Sequence, residues 1–111
     1  MLPQRIKTKS EKAHLGKRSP AHRAWIRGFA CSACGSTTAI ECAHVRRASN
    51  AGMGIKPSDA FTVSLCGDCH RASHNGEQSF EAEAGVDLMA LARRFYFALP
   101  HRAKMENPFH D

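Results

Sequence analysis

Long apolar runs are missing from this chain of 111 residues, and its mean hydropathy is −0.41. No stretch approaches the roughly 18 apolar residues that a membrane span requires. Met1 to Ser10 reads MLPQRIKTKS, charges with no apolar segment behind them, so a secretory leader does not fit either. A cytoplasmic protein is expected, with no membrane partner. Aromatic residues are scarce, at 7%, with one Trp and one Tyr. Together with 42% hydrophobic residues this allows one domain with a thin core, because a domain this small buries only about two thirds of its unfolded surface. An even cysteine count is also lacking. Five cysteines in a reducing compartment argue against a disulfide framework and for thiolate metal ligands.

Acids are nearly absent from the first 28 residues, where Glu11 stands against eight bases (Arg5, Lys7, Lys9, Lys12, Lys17, Arg18, Arg23 and Arg27), a balance of +7. The remaining residues carry eight bases and nine acids, so the formal charge of +6 belongs to an N-terminal arm and not to the body. Residues 1–18 form that arm, too poor in large apolar side chains to order itself and suited to following a polyanion such as DNA; a solubilising tail has the same composition. Residues 19–111 form the domain.

Ser19 and Pro20 supply an N-cap and a first-turn proline for a short helix over 21–27, ended by Gly28. Two strands follow, one within 38–45 (TAIECAHV) and one over 61–65 (FTVSL), the second alternating cleanly. Between them lies a loop over 46–59 with two glycines and a proline, longer than hairpin loops usually are. A helix is expected over 69–74, a brief one from a Ser79 cap through Ala84 to Gly85, and a last one over about 87–99. There Leu88, Leu91, Ala92, Phe95 and Leu99 make an apolar stripe, Arg93 and Arg94 lie outside it, and Pro100 ends it.

Two Cys-x-x-Cys pairs, Cys31/Cys34 and Cys66/Cys69, are separated by 31 residues. Each spacer lets both sulfurs face one centre, and four thiolates close a tetrahedral zinc shell without an open position, which makes the site structural. Cys42 is left over as a small apolar strand residue or a substitute ligand. His70 follows Cys69 directly, with His74 four residues on, so a helix sets both imidazoles on one face, where they chelate a second cation and leave positions open for water or phosphate. His44, at the end of the first strand, is expected close to the helix start and to that cation. A neutral imidazole there takes a proton from water while the cation neutralises charge on a phosphate oxygen, which is what phosphodiester hydrolysis needs. His14, His22, His101 and His110 have no partner spacing and no assigned role. Trp25 suits either stacking on a base or covering the small core.

The combination of Cys31-x-x-Cys34, Ala43-His44-Val45-Arg46, Lys56-Pro-Ser-Asp59 and Leu65-Cys66-x-x-Cys69-His70-x-x-x-His74 resembles the HNH endonucleases of the ββα-metal (His-Me finger) class over about residues 28–76. Within that class the chain is most similar to small phage and prophage proteins and to phage recombination-enhancement nucleases. The resemblance implies an α+β, zinc-stapled ββα-metal (HNH) fold with flanking helices, its core over about 31–76. It implies His44 as the base that activates water, and His70 and His74 as holders of a catalytic Mg²⁺, Mn²⁺ or similar ion beside one structural Zn²⁺. Many HNH enzymes carry Asp or His as a metal ligand just before the base, where this chain has Ala43. The middle Asn of the motif has no direct counterpart; Asp59 is nearest, with Asn50 in the loop. Asp59, Glu41 or waters are then the candidates to complete the cation site, and Pro-Ser-Asp59 is equally a turn cap.

Arg46 and Arg47, two and three residues after the base, are candidates to hold the scissile phosphate, and Lys56, Lys17 and Arg18 to contact the backbone, against the plainer reading of solvated charges. The expected activity is metal-dependent hydrolysis of DNA with little sequence specificity, in a phage setting of replication or recombination proteins. A zinc-stabilised nucleic-acid-binding module without catalysis is the rival. A protein-interaction adaptor using the Arg93/Arg94 face is the third reading.

Overall fold

The computed structural model describes residues 18–46, 58–99 and 107–109. Residues 1–17 of the expected 1–18 arm and residues 47–57 of the long loop lie outside them.

The first helix starts where local chemistry starts it. Ser19 is extended, its hydroxyl accepts the His22 backbone N–H at 3.1 Å, and Pro20 takes the first turn, where no amide is needed, giving α1 over Pro20–Ile26. His22 and Ile26, one turn apart, form its buried edge. Strand β1 spans Ile40–His44 and pairs antiparallel with β2, Thr62–Cys66, in the register Ile40↔Cys66 to His44↔Thr62.

A two-stranded sheet is marginal by itself in water, so both faces must be covered. All five residues of β2 are buried. On one face Ala43, Val45, Val63 and Leu65 meet Phe80, Leu88 and Ala92 from the later helices. On the other face the inward residues are polar and hydrogen-bonded: the Ser64 hydroxyl donates to the Ala30 carbonyl at 2.8 Å, and Thr62 donates to the Asp59 carbonyl at 2.7 Å. Those bonds offset the desolvation that would otherwise make buried hydroxyls destabilising.

Helix α2, Gly67–His74, leaves β2 without a loop. Helix α3, Glu77–Ala84, begins two residues before the expected Ser79 cap, because Gly76 at φ +149° serves as its N-cap and needs no side-chain bond. Gly85 ends it in the left-handed conformation, at φ +69°, as expected of that glycine. Asp87 caps α4, Leu88–Ala98, by accepting the Ala90 N–H at 3.0 Å. The inward face of α4 is turned slightly from the expected stripe: Leu88, Ala92, Tyr96 and Leu99 are buried, whereas Leu91 and Phe95 are half-buried. The reason is a second small cluster in which Ala60, Tyr96 and Leu99 pack with Trp25 and Phe109, so Trp25 does cover core as well as standing at the surface. No helix among the described residues is long and apolar enough to cross a membrane.

Leu88 is 2% exposed at the junction of α4 with the sheet. Leu88→Ala should lower the free energy of unfolding by about 2–5 kcal/mol, measured by denaturant titration of the metal-loaded protein. Glu83→Ala, at an exposed site on α3, should stay within about 0.5 kcal/mol.

Candidate functional site

The turn after α1 presents Cys31 and Cys34. The Cys31 N–H reaches the Ser36 carbonyl at 2.8 Å, the Gly35 N–H reaches the Cys31 carbonyl at 3.0 Å, and Gly35 takes φ +79°, which a side chain would resist. Cys66 ends β2 and Cys69 lies in the first turn of α2. Ser32 laces the two halves together, its N–H on the Ser64 carbonyl at 2.8 Å and its hydroxyl 3.0 Å from that of Ser64. All four Sγ atoms lie within 4.8 Å of one another, and Cys34 Sγ is 3.8 Å from Cys66 Sγ. Tetrahedral bonds of about 2.3 Å require S···S separations of about 3.8 Å, so the tetrad fits one zinc ion. Burial works against ionisation of Cys31, but backbone N–H groups of Cys34, Cys66 and Ala33 outweigh it and bring its pKa down to about 6. Burial and the surrounding sulfurs push Cys69 up. A bound zinc would displace these protons, which couples metal binding to pH.

His44, its side chain 23% exposed, is held at the end of β1 with Nε2 2.8 Å from Asp59 Oδ1. Asp59 is wholly buried. Its Oδ1 also meets Arg18 Nη1 at 3.2 Å, while Oδ2 accepts the Ser19 N–H at 2.8 Å and lies 3.5 Å from Arg23 Nε. Burial alone would raise its pKa, yet the His44 and Ser19 hydrogen bonds and the charges of His44 and Arg23 hold it below the ordinary carboxylate value. An ionised carboxylate only accepts, so neutral His44 donates Nε2–H and keeps its lone pair on Nδ1.

His22 supports this arrangement from below. Because the Thr62 hydroxyl gives its proton to the Asp59 carbonyl, it accepts from His22 Nε2 at 3.1 Å. Nδ1 of His22 is buried without a hydrogen-bond partner. Burial lowers the His22 pKa against the raising effect of Asp59. Spacing of histidines did not reveal this residue. The signal available was its place one helical turn before Ile26, on an apolar edge.

His70 and His74 do come together on α2, with ring centroids 4.6 Å apart and nearly perpendicular. Glu41 Oε1 accepts from His70 Nδ1 at 2.6 Å and leaves the lone pair on Nε2, the arrangement by which carboxylates orient imidazoles that ligate metals. Burial, His70 and Arg46 lower the His74 pKa. The expected nearness of His44 to the helix start is not found: the antiparallel register sets Ile40, at the other end of β1, opposite Cys66. Strand alternation then puts Glu41 and Ala43 on the face covered by α2, and Cys42 and His44 on the face towards α1. Among the described residues, the cysteine tetrad is the one group of three or more His, Cys, Asp or Glu ligand atoms within 4.8 Å of one another. His70 and His74 therefore stand as a pair, and Asp59 acts on His44.

Arg46 is exposed, and its N–H donates to Glu77 Oε2 at 2.6 Å. Arg18 turns towards Asp59, whereas Lys17, Arg47 and Lys56 lie outside the described residues. Cys42 is half-buried, and burial pushes its thiol up, as suits the small apolar strand residue that was expected.

A family model described as a protein of unknown function (DUF968) matches residues 8–101. The chain belongs to the DUF968 family. The matched span takes in the tetrad, the His44–Asp59 pair, His22 and the His70/His74 pair. No curated protein and no solved structure matches this DUF968 chain.

Chemically, the DUF968 chain holds a four-cysteine site that fits one zinc ion and an imidazole oriented by a buried carboxylate. Purified protein should contain one zinc per chain by elemental analysis. Cys34→Ser should abolish both that zinc and cooperative unfolding, since structural zinc supplies about 10–16 kcal/mol in small domains. Acid should destabilise the fold in two stages. His22 has a lowered folded-state pKa, so its contribution is complete above the ordinary value of 6.5 and is lost as pH falls through the lowered one. Asp59, also lowered, has the same sign further down, below 3.8. Between about pH 7.5 and 5.5 the denaturation midpoint of His22→Gln should fall less than that of the parent; equal slopes would exclude the His22 contribution.

Proposed function

We propose that this DUF968 chain is a metal-dependent, HNH-type endonuclease that hydrolyses DNA phosphodiester bonds with little sequence specificity, in a phage or prophage setting. The observation that carries the reading is the His44–Asp59 pair, a partly exposed imidazole whose Nε2 is fixed by a wholly buried carboxylate at 2.8 Å. That bond fixes the tautomer and leaves Nδ1 to accept a proton. The order of elements supports it: a turn with two cysteines, a strand ending in histidine, a second strand that ends in the third cysteine, and a helix bearing the fourth cysteine and two histidines.

In this mechanism His44 Nδ1 accepts a proton from water as the water oxygen bonds to phosphorus and the bond to the leaving oxygen breaks. Asp59 stays ionised and balances the imidazolium that results. His70 and His74 would hold the divalent cation, with Glu41 orienting His70; when bound, it supplies Lewis-acid neutralisation of charge on the phosphate oxygens. Arg46, exposed two residues beyond His44, would pair with a phosphate. The basic residues before α1 would add salt-sensitive, sequence-independent affinity.

The separation of His44 from His70 and His74 onto opposite faces, with Ala43 at the usual ligand position, favours a second reading: a zinc-stabilised nucleic-acid-binding module without catalysis. Supercoiled plasmid incubated with the protein and Mg²⁺ or Mn²⁺ separates the two. The endonuclease reading expects nicking that a brief excess of EDTA stops and that His44→Ala reduces about 10²–10⁴-fold. Binding without nicking under every cation, or equal nicking by His44→Ala, would exclude His44 as the base.

A further inference from the structure

Three aromatic residues at the edge of the core gather at one place. Trp25 on α1, Phe29 just after it and Phe95 on α4 meet edge to face, with ring centroids 4.8 Å (Trp25–Phe29), 6.0 Å (Trp25–Phe95) and 5.2 Å (Phe29–Phe95) apart. Phe29 is 41% exposed, the most exposed large apolar side chain among the described residues. Two exposed cations adjoin the cluster in sequence: Arg27, between Trp25 and Phe29, and Arg94, beside Phe95 on α4. No acid lies between Arg18 and Cys31. An exposed ring backed by two others, with exposed arginines next to the cluster in the chain, has the chemistry of a nucleobase-stacking platform, where the ring takes the base and the cations take neighbouring phosphates.

We infer that Phe29, backed by Trp25 and Phe95, with Arg27 and Arg94 exposed beside the cluster in the chain, is a stacking site for an unpaired base of single-stranded DNA. The inference rests on the reading of the chain as a DNA-acting protein and deepens it by naming the substrate class: DNA with unpaired bases beside the cleavage site, not uniform duplex, whose bases are stacked within the helix. Placement supports this choice. The seven residues of α1 carry Arg23, which meets Asp59, and Trp25, which meets Phe29. At a rise of about 1.5 Å per residue, the stacking site and the His44–Asp59 pair stand within a few nucleotides of each other.

Trp25 is the chain's one tryptophan and touches the proposed site, so its fluorescence reports binding. The test uses the full zinc-loaded chain carrying His44→Ala, which removes the base but not the platform, titrated with a 12-nucleotide oligothymidylate and with a blunt duplex of equal length. Trp25 emission should be quenched by the single strand and little affected by the duplex. Phe29→Ala should weaken single-strand binding at least about fivefold while duplex affinity, read by anisotropy of labelled DNA, stays unchanged. Phe29→Leu, which keeps an apolar side chain but no ring, should behave like Phe29→Ala. Equal effects on both DNAs, no effect on either, or full rescue by leucine would overturn the platform while leaving the endonuclease reading standing. A self-associating chain that Phe29→Ala makes monomeric in sedimentation would assign the patch to a second copy instead, and also overturns it. Failure to bind either DNA would remove the platform and the DNA reading together.

Discussion

Four sulfurs within 4.8 Å of one another set the geometry of everything around them. They tie the turn after α1 to the junction of β2 with α2, and so enclose β1 and the long loop in one cross-linked span. The sheet they clamp has two strands, too few to persist alone, and the aromatic content is low. The apparent contribution of about 10–16 kcal/mol from a structural zinc is comparable to the whole net stability of a typical domain, about 5–15 kcal/mol. Hydrophobic burial on one face of the sheet and zinc ligation by the tetrad at its end would therefore be complementary.

The same clamp places the polar site. Ser32 and Ala30, on either side of Cys31, bond to Ser64, which lays the chain before the tetrad across the second face of β2. Helix α1 is thereby delivered to Asp59 and Thr62, where the Ser19 amide, Arg18, Arg23 and His22 meet them. A buried carboxylate without such partners would protonate. With two cations, an amide and an imidazole around it, Asp59 stays charged and fixes the orientation of His44. A four-cysteine site at one end of the sheet thus supports an ordered imidazole at the other.

What could be read from the sequence was what chemistry or local geometry dictates. The cysteine spacings specify a tetrahedral site whatever the fold, and Ser19-Pro20, Gly85 and Asp87 punctuate helices through bonds to near neighbours. The alternation of Phe61 to Leu65 gave the second strand to within a residue. What escaped depends on contacts between distant parts of the chain. Asp59 reads as a turn residue or a metal ligand because its partners lie 15 residues back at His44 and 40 back at Ser19. His22 has no sequence partner because its partner is Thr62. The expected approach of His44 to the start of the following helix fails on register, since an antiparallel pair sets the end of one strand beside the beginning of the next. The small rotation of α4, with Tyr96 in and Phe95 half out, is decided by Trp25 and Phe109, which no periodicity records.

The functional account turns on one bond, from His44 to Asp59. Nitrogen-15 chemical shifts of the His44 ring in the zinc-loaded protein, at a pH where the ring is neutral, measure it directly. The account predicts the Nε2–H tautomer in the parent chain and a loss of that preference in Asp59→Asn, with the zinc content unchanged. An Nδ1–H tautomer in the parent, or an identical Nε2–H tautomer in the variant, would show that Asp59 does not orient the imidazole and would contradict the assignment of His44 Nδ1 as the proton acceptor.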